Sequence, residues 1–333
     1  MFWKWICLLL LLFLLFVMPY QDSPAYAVSD EVDPYNTYQW NRDSAQSGSR
    51  RPDTGSWYEW WYYKVIDPAT SEAFLFTYGV INPWDVQGGR SFLQFGSFGE
   101  MSFYQQNFPL SDFSAQYDKV RVDISNNRAT DRFISGEVTD KNGRRIRWNL
   151  EFERDWAFNA MGWGLQVAGI SGIYWYPAQA SAHASGWIEI DKRRIYLERA
   201  PSYQDRNWGR TFPKWWAWLV SNHFDGSPGT ILAAGGGKPK IFNSFYWLTG
   251  LCVGFRHKER EYIFRSTDGH RVKFDIHWGR WELTAENNKG ERIEISASAP
   301  SDKFLLLPFQ TPQGSLFYDY EALLGNIQVK LYK

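Results

Sequence analysis

The chain has 333 residues, with 36 basic and 36 acidic side chains, a formal net charge of zero and no run of either sign. That balance excludes the basic stripe on which nucleic-acid binding depends, so no nucleic-acid partner is expected. Aromatic residues make up 19% of the chain (19 Trp, 19 Tyr and 24 Phe); strands and cores favour them, but indole also brings an N–H that needs a partner and a π-face that attracts cations, which points to a pocket as well as a core.

The first predicted element is a leader. Lys4 precedes an unbroken apolar run over residues 7–18 that stops at Pro19, and Ala25-Tyr26-Ala27 has the small-residue pattern of a cleavage site. A membrane-crossing helix needs about 20 apolar residues. Residues 1–27 therefore read as a signal peptide, with an uncleaved anchor as the other reading. Either way the folded part is expected outside the cytoplasm, in a periplasm or thylakoid lumen. Cys7 falls in the leader and Cys252 stands alone in the remainder, so no intramolecular disulfide is expected in the mature chain. The five histidines are scattered and no metal site is expected.

Short segments with a period of two follow. Strands are predicted over 60–66, 73–80 and 90–100. Asn142-Gly143 joins 136–139 to 145–153 in a hairpin, the second arm alternating Ile146, Trp148, Leu150 and Phe152 with charged or polar residues. The low-charge stretch 162–185, rich in Gly, Ala and Ser, is the expected seam between two units. Strands are predicted again over 186–190 and 194–198. Gly235 to Gly237 read as a β-turn, since no Lys-Ser/Thr and helix follow to make a phosphate loop. A second hairpin is predicted from 261–266 and 271–276 across Asp268-Gly269, a third from 281–286 and 291–296, and a last strand over 326–332. Many short strands at regular spacing argue for barrels, which hide sheet edges. The expected fold is all-β, with two lipocalin-like antiparallel barrel or half-barrel domains packed together: residues 28–180, and residues 181–333 carrying the central motif described next.

Tyr203-Gln204-Asp205-Arg206-Asn207-Trp208-Gly209, followed by Trp215, Trp216, Trp218 and Asn222, closely resembles the central motif of tocopherol cyclases. Glu59-Trp60-Trp61-Tyr62-Tyr63-Lys64, Gly186-Trp187-Ile188-Glu189 and Trp281-Glu282-Leu283-Thr284-Ala285-Glu286-Asn287 resemble flanking elements of that family, with Trp60 where it usually has Gly. Carotenoid 1,2-hydratases share a looser form of the motif. The resemblance implies paired lipocalin-like barrels and a cofactor-free cyclase of vitamin E biosynthesis that closes a prenylated hydroquinone into a chromanol. A hydratase adding water to an isoprenoid double bond, or a non-catalytic isoprenoid carrier, are the alternatives. A long prenyl chain also implies association with a membrane surface.

Chromanol closure needs a proton for a trisubstituted alkene, which asks for a carboxyl kept protonated by burial in an apolar pocket. Asp205 and Glu59 are the candidate acids, because each lies among Trp and Tyr and away from other acids. The competing readings are a turn residue for Asp205 and an ion-paired structural residue for Glu59. Trp61, Trp208, Trp216 and Trp218 are candidates to face the cation, Trp215 lying on the opposite face from the last two. Tyr203, Asn207 and Asn222 are candidates to bind the quinol hydroxyls.

Overall fold

The computed structural model describes residues 33–42, 54–140, 142–162, 170–242, 245–246 and 248–333. The leader and its cleavage site lie outside them. Among the described residues no helix is long and apolar enough to cross a membrane.

Eleven strands form one antiparallel sheet: β1 (Tyr58–Asp67), β2 (Glu72–Ile81), β3 (Arg90–Ser97), β4 (Ser102–Phe108), β5 (Phe113–Ala115), β6 (Arg121–Ile124), β7 (Asn127–Thr130), β8 (Phe133–Thr139), β9 (Arg145–Trp156), β10 (Ile173–Ile190) and β11 (Arg193–Gly209). Their order is β4-β3-β2-β1-β11-β10-β9-β8-β7-β6-β5. The sheet curls towards a barrel around a first core that includes Phe76, Phe95, Ile134, Trp148 and Leu150. Polar groups inside it are paired across the interior: Tyr78 Oη donates to the Ser135 carbonyl at 2.7 Å, and Trp148 Nε1 donates to Tyr78 Oη at 2.8 Å. Paired in this way, the hydroxyl and indole carry little of the cost of burying an unmet polar group.

The rest of the chain adds β12 (Trp216–Ser221), β13 (Ile231–Gly237), β14 (Gly250–His257), β15 (Arg260–Arg265), β16 (Arg271–His277), β17 (Arg280–Glu286), β18 (Arg292–Ser298), β19 (Leu305–Gln310), β20 (Leu316–Glu321) and β21 (Asn326–Tyr332). Strands β12 to β15 form a four-stranded sheet, β16-β17-β18-β21 another, and β19-β20 a hairpin. The two four-stranded sheets enclose a core that includes Leu232, Val253, Phe264, Leu283 and Ile295. A further core, aromatic in character, lies where the outer face of the large sheet meets β12 to β14 and the β19-β20 hairpin.

The all-β class expected from the alternation is what forms, and the Asn142-Gly143 hairpin pairs Thr139 with Arg145 as predicted. Four expectations change. The division at 180/181 falls inside β10, which runs unbroken to Ile190 between β9 and β11; the sheet changes instead between Gly209 and Trp216. Ala178, Ala180, Ala182 and Ala184 are buried, so the small residues read as a seam serve a strand covered on both faces. Strands β15 and β16 pair with β14 and β17 and not with each other, because a 3-10 turn at Ser266–Asp268 and the left-handed Gly269 (φ 78°) redirect the chain into the next sheet. Gly235 to Gly237 lie within β13 rather than in a turn. A Cβ on Gly235 would stand 2.9 Å from the Trp175 ring, so glycine is needed there for close approach.

Candidate active site

Strands β1 and β11 are neighbours, and their register puts Tyr62 opposite Asp205, Lys64 opposite Tyr203 and Glu59 opposite Trp208. Side chains alternate across a sheet. One face of this pair therefore presents Trp60, Tyr62, Lys64, Tyr203, Asp205 and Asn207, and the other Glu59, Trp61, Tyr63, Gln204, Arg206 and Trp208.

On the first face Asp205 is 4% exposed. Its Oδ2 accepts the Trp175 indole N–H at 2.8 Å and the Tyr203 hydroxyl at 2.9 Å, while Asn207 Nδ2 approaches Oδ1 at 3.5 Å. Trp218 Nε1 donates in turn to Tyr203 Oη at 3.2 Å. Burial pushes the Asp205 carboxyl up from the ordinary 3.8 to about 7, against the hydrogen bonds from Trp175, Tyr203 and Asn207 and the charge of Arg206, which hold it down. Around it the rings of Tyr62 and Trp218 meet at 5.7 Å, Trp60 stacks on Phe309 at 5.1 Å, and Trp216 packs on Phe317 at 4.3 Å. The result is a carboxyl that titrates near neutral pH among aromatic side chains.

The same space contains groups that the sequence reading did not single out. Tyr62 Oη donates to Glu321 Oε2 at 2.8 Å. Asp319 hydrogen-bonds Glu321 and the Trp216 indole, and burial raises its carboxyl. Burial and the Asp319 charge push Glu321 well above the ordinary carboxylate range. Lys64 is buried at 3% exposure, and burial lowers its ammonium to about 8. The available signal was phase: Asp319 and Glu321 alternate in step with Phe317, the inward side of β20, while Tyr318 and Tyr320 face out.

Glu59 is placed elsewhere. It is fully buried on the opposite face and forms an ion pair with Arg206, itself fully buried. Its carboxylate also accepts the backbone N–H groups of Gln39 and Trp40 at 2.9 and 3.2 Å and the Trp57 indole at 3.2 Å. Arg206 further donates to the Asn36 and Thr37 carbonyls, and its guanidinium lies 3.9 Å from the Trp61 ring centroid and 5.7 Å from that of Trp208. The ion-paired reading of Glu59 is the one that this geometry matches, and Trp61 and Trp208 stand with that pair rather than beside Asp205. Asn222 donates to the carbonyls of Ala182 and Ser202 at 3.2 and 2.8 Å, holding β12 against β10 and β11. Of the residues expected at the site, Asp205, Tyr203, Asn207, Trp216 and Trp218 come together. Asp205 lies in β11 and not in a turn.

Fold and site define a lipocalin-like all-β protein with a buried, raised carboxyl among aromatic side chains. Residues 124–333 match the tocopherol cyclase-like family, and the chain belongs to it. It is 29% identical over 343 aligned positions to the chloroplastic tocopherol cyclase of Zea mays, covering 86% of this chain and 70% of that one. It is 28% identical to a probable chloroplastic tocopherol cyclase of Oryza sativa subsp. japonica, covering 75% of this chain and 64% of that one. Among solved structures, CghA superposes with a TM-score of 0.55 at 10% identity, over 95% of this chain and 91% of that one. Kievitone hydratase from Nectria haematococca gives 0.50 at 11% identity, over 93% and 95%. At such identities these two likenesses concern the fold alone.

Proposed function

We propose that the protein is a cofactor-independent cyclase that closes the chromanol ring of a prenylated hydroquinone. The observation that carries this reading is Asp205, a buried carboxyl raised to about 7 and held by the Trp175 and Tyr203 donors. A general acid works best with a pKa near the working pH. Asp205 protonates the prenyl alkene, positive charge develops on the tertiary carbon, and the phenolic oxygen attacks it. The indole faces of Trp216 and Trp218 stabilise that charge by about 2 kcal/mol for each desolvated contact. Asn207 and Tyr203 orient the head group beside the acid. The pocket works by excluding water, which would otherwise quench the cation and give a hydratase product.

The substrate's long tail is drawn from a membrane surface. The outward side of the β19-β20 hairpin carries exposed Leu306, Leu316, Tyr318 and Tyr320; Trp278 joins this side, its ring 5.1 Å from that of Tyr320. These residues lie one strand's thickness from the inward Phe317, Asp319 and Glu321, and exposed Tyr and Trp of this kind suit a lipid interface. Export by the leader over residues 1–27 belongs to the same reading.

The test is incubation of wild-type and Asp205→Asn protein with a phytyl hydroquinone, following product by chromatography. Chromanol from the wild type alone supports the cyclase and its acid. Hydrated product points to the hydratase, and tight binding without product to a carrier.

A further inference from the structure

We propose that Lys64 and the Asp319–Glu321 pair form the seat of a substrate hydroxyl, so that the ligand class of this pocket is a phenol rather than a plain polyene. The inference rests on the cyclase reading and deepens it. Lys64 enters from β1 with Nζ 5.9 Å from the ring centroids of both Tyr203 and Trp218. It is 3% exposed, and among the described residues its ammonium makes no hydrogen bond and no ion pair. An ammonium has three donors to satisfy, and buried ones are ordinarily paired. Its neighbours are the Tyr203 and Trp218 rings and the Glu321 carboxyl, none of which bonds it, and a ligand oxygen would complete its shell.

The opposite wall supplies the acceptor. On β20, Asp319 and Glu321 are hydrogen-bonded to each other, and Tyr62 on β1 donates to Glu321 at 2.8 Å. Both carboxyls are half-buried, and burial and their mutual repulsion push them above the ordinary carboxylate range, which favours sharing a proton between them. Lys64 balances the charge that is left. The remaining titratable groups facing this space are Asp205 and Tyr203 of β11, the former neutral when it carries its proton.

The closure balances on these groups. Asp205 gives its proton to the alkene carbon as the π bond breaks, the phenolic oxygen forms the new C–O bond to the tertiary carbon, and the phenol O–H proton passes to the ionised member of the Asp319–Glu321 pair. Lys64, donating to the same oxygen, orients the hydroxyl and favours the departure of its proton to the pair. One proton has then moved from Asp205 to the pair, and exchange with solvent resets both. A hydrocarbon polyene would leave Lys64 unsatisfied.

The experiment compares binding of a phytyl hydroquinone and of its dimethyl ether by quenching of tryptophan fluorescence, in the wild type and in Lys64→Met, which keeps the length of the stem. The wild type is expected to prefer the free quinol by about tenfold or more, the scale of a hydrogen bond to a charged group. Lys64→Met is expected to bind both ligands alike, with the ether's affinity unchanged as the sign of an intact pocket. Equal affinities in the wild type, a comparison that needs no variant to fold, would overturn the proposal, as would a quinol preference that survives in Lys64→Met. A wild type that prefers the quinol yet forms no chromanol would sink the cyclase and leave this site standing; chromanol formation without the preference would do the reverse.

Discussion

Glu59 and Asp205, both acids buried on adjacent strands, face opposite sides of the same sheet, because Glu59 pairs in register with Trp208 and Asp205 with Tyr62. One carboxylate is ion-paired with Arg206, and the other takes its hydrogen bonds from neutral donors. Their substitutions should therefore separate stability from chemistry.

For Asp205 the folded-state pKa is raised above the ordinary 3.8 to about 7. The folded protein then binds a proton that the unfolded chain has released, so this group's contribution falls as pH rises from about 4 to about 7 and is flat above. Asp205→Asn removes that dependence. Thermal unfolding should show the variant gaining on the wild type by an amount on the order of 2–4 kcal/mol at pH 8 and little at pH 4. Wild-type ring closure should decline above pH 7 as the acid loses its proton, and Asp205→Asn should lack activity throughout.

Arg206→Met leaves Glu59 buried without its counter-charge and frees the segment around Asn36 and Thr37 that the guanidinium holds. Losing one partner of a buried pair costs about 3–5 kcal/mol. Urea unfolding should report that loss, while the folded fraction turns over substrate at a rate close to the wild type. A large drop in turnover without a drop in stability would return Glu59 to the chemistry.

Trp175→Phe deletes a hydrogen bond that favours the ionised form of Asp205. The carboxyl's pKa should rise, and the descending limb of the rate profile should move to higher pH. Gly235→Ala should act on the same bond by pushing the Trp175 ring away, with a lower rate and a changed tryptophan emission. An unmoved limb in both variants would mean that Trp175 does not tune the acid.

Tyr318 and Tyr320 are about half exposed on the outward side of β20. Flotation with liposomes should recover the wild-type protein, and the double change Tyr318→Asp, Tyr320→Asp should leave it in the soluble fraction with activity on detergent-dispersed substrate retained. Wild-type protein that does not float would remove membrane association from the reading.

Alternation was legible wherever one face of a strand is polar, as along β9, and Asn142-Gly143 named its own turn. It was silent in β1, where nearly every residue is buried and both phases look apolar. That is why Trp61 and Trp216 looked equivalent as cage residues, although they stand on different sides of the large sheet. Lys64 stood inside the Glu59–Lys64 segment without a role, and residues 305–321 were assigned to no strand, so the phase of Asp319 and Glu321 relative to Phe317 went unread.

By itself the sequence determined the all-β class, the family motif around Asp205 and the aromatic character of the pocket, since these depend on residue type and on spacing along one strand. Only the tertiary structure decided which acid pairs with Arg206, which indoles surround Asp205, and that β20 brings two further carboxyls to face it. Those outcomes depend on the register between β1 and β11 and on the packing of a distant hairpin, and a one-residue shift in register would exchange the two faces.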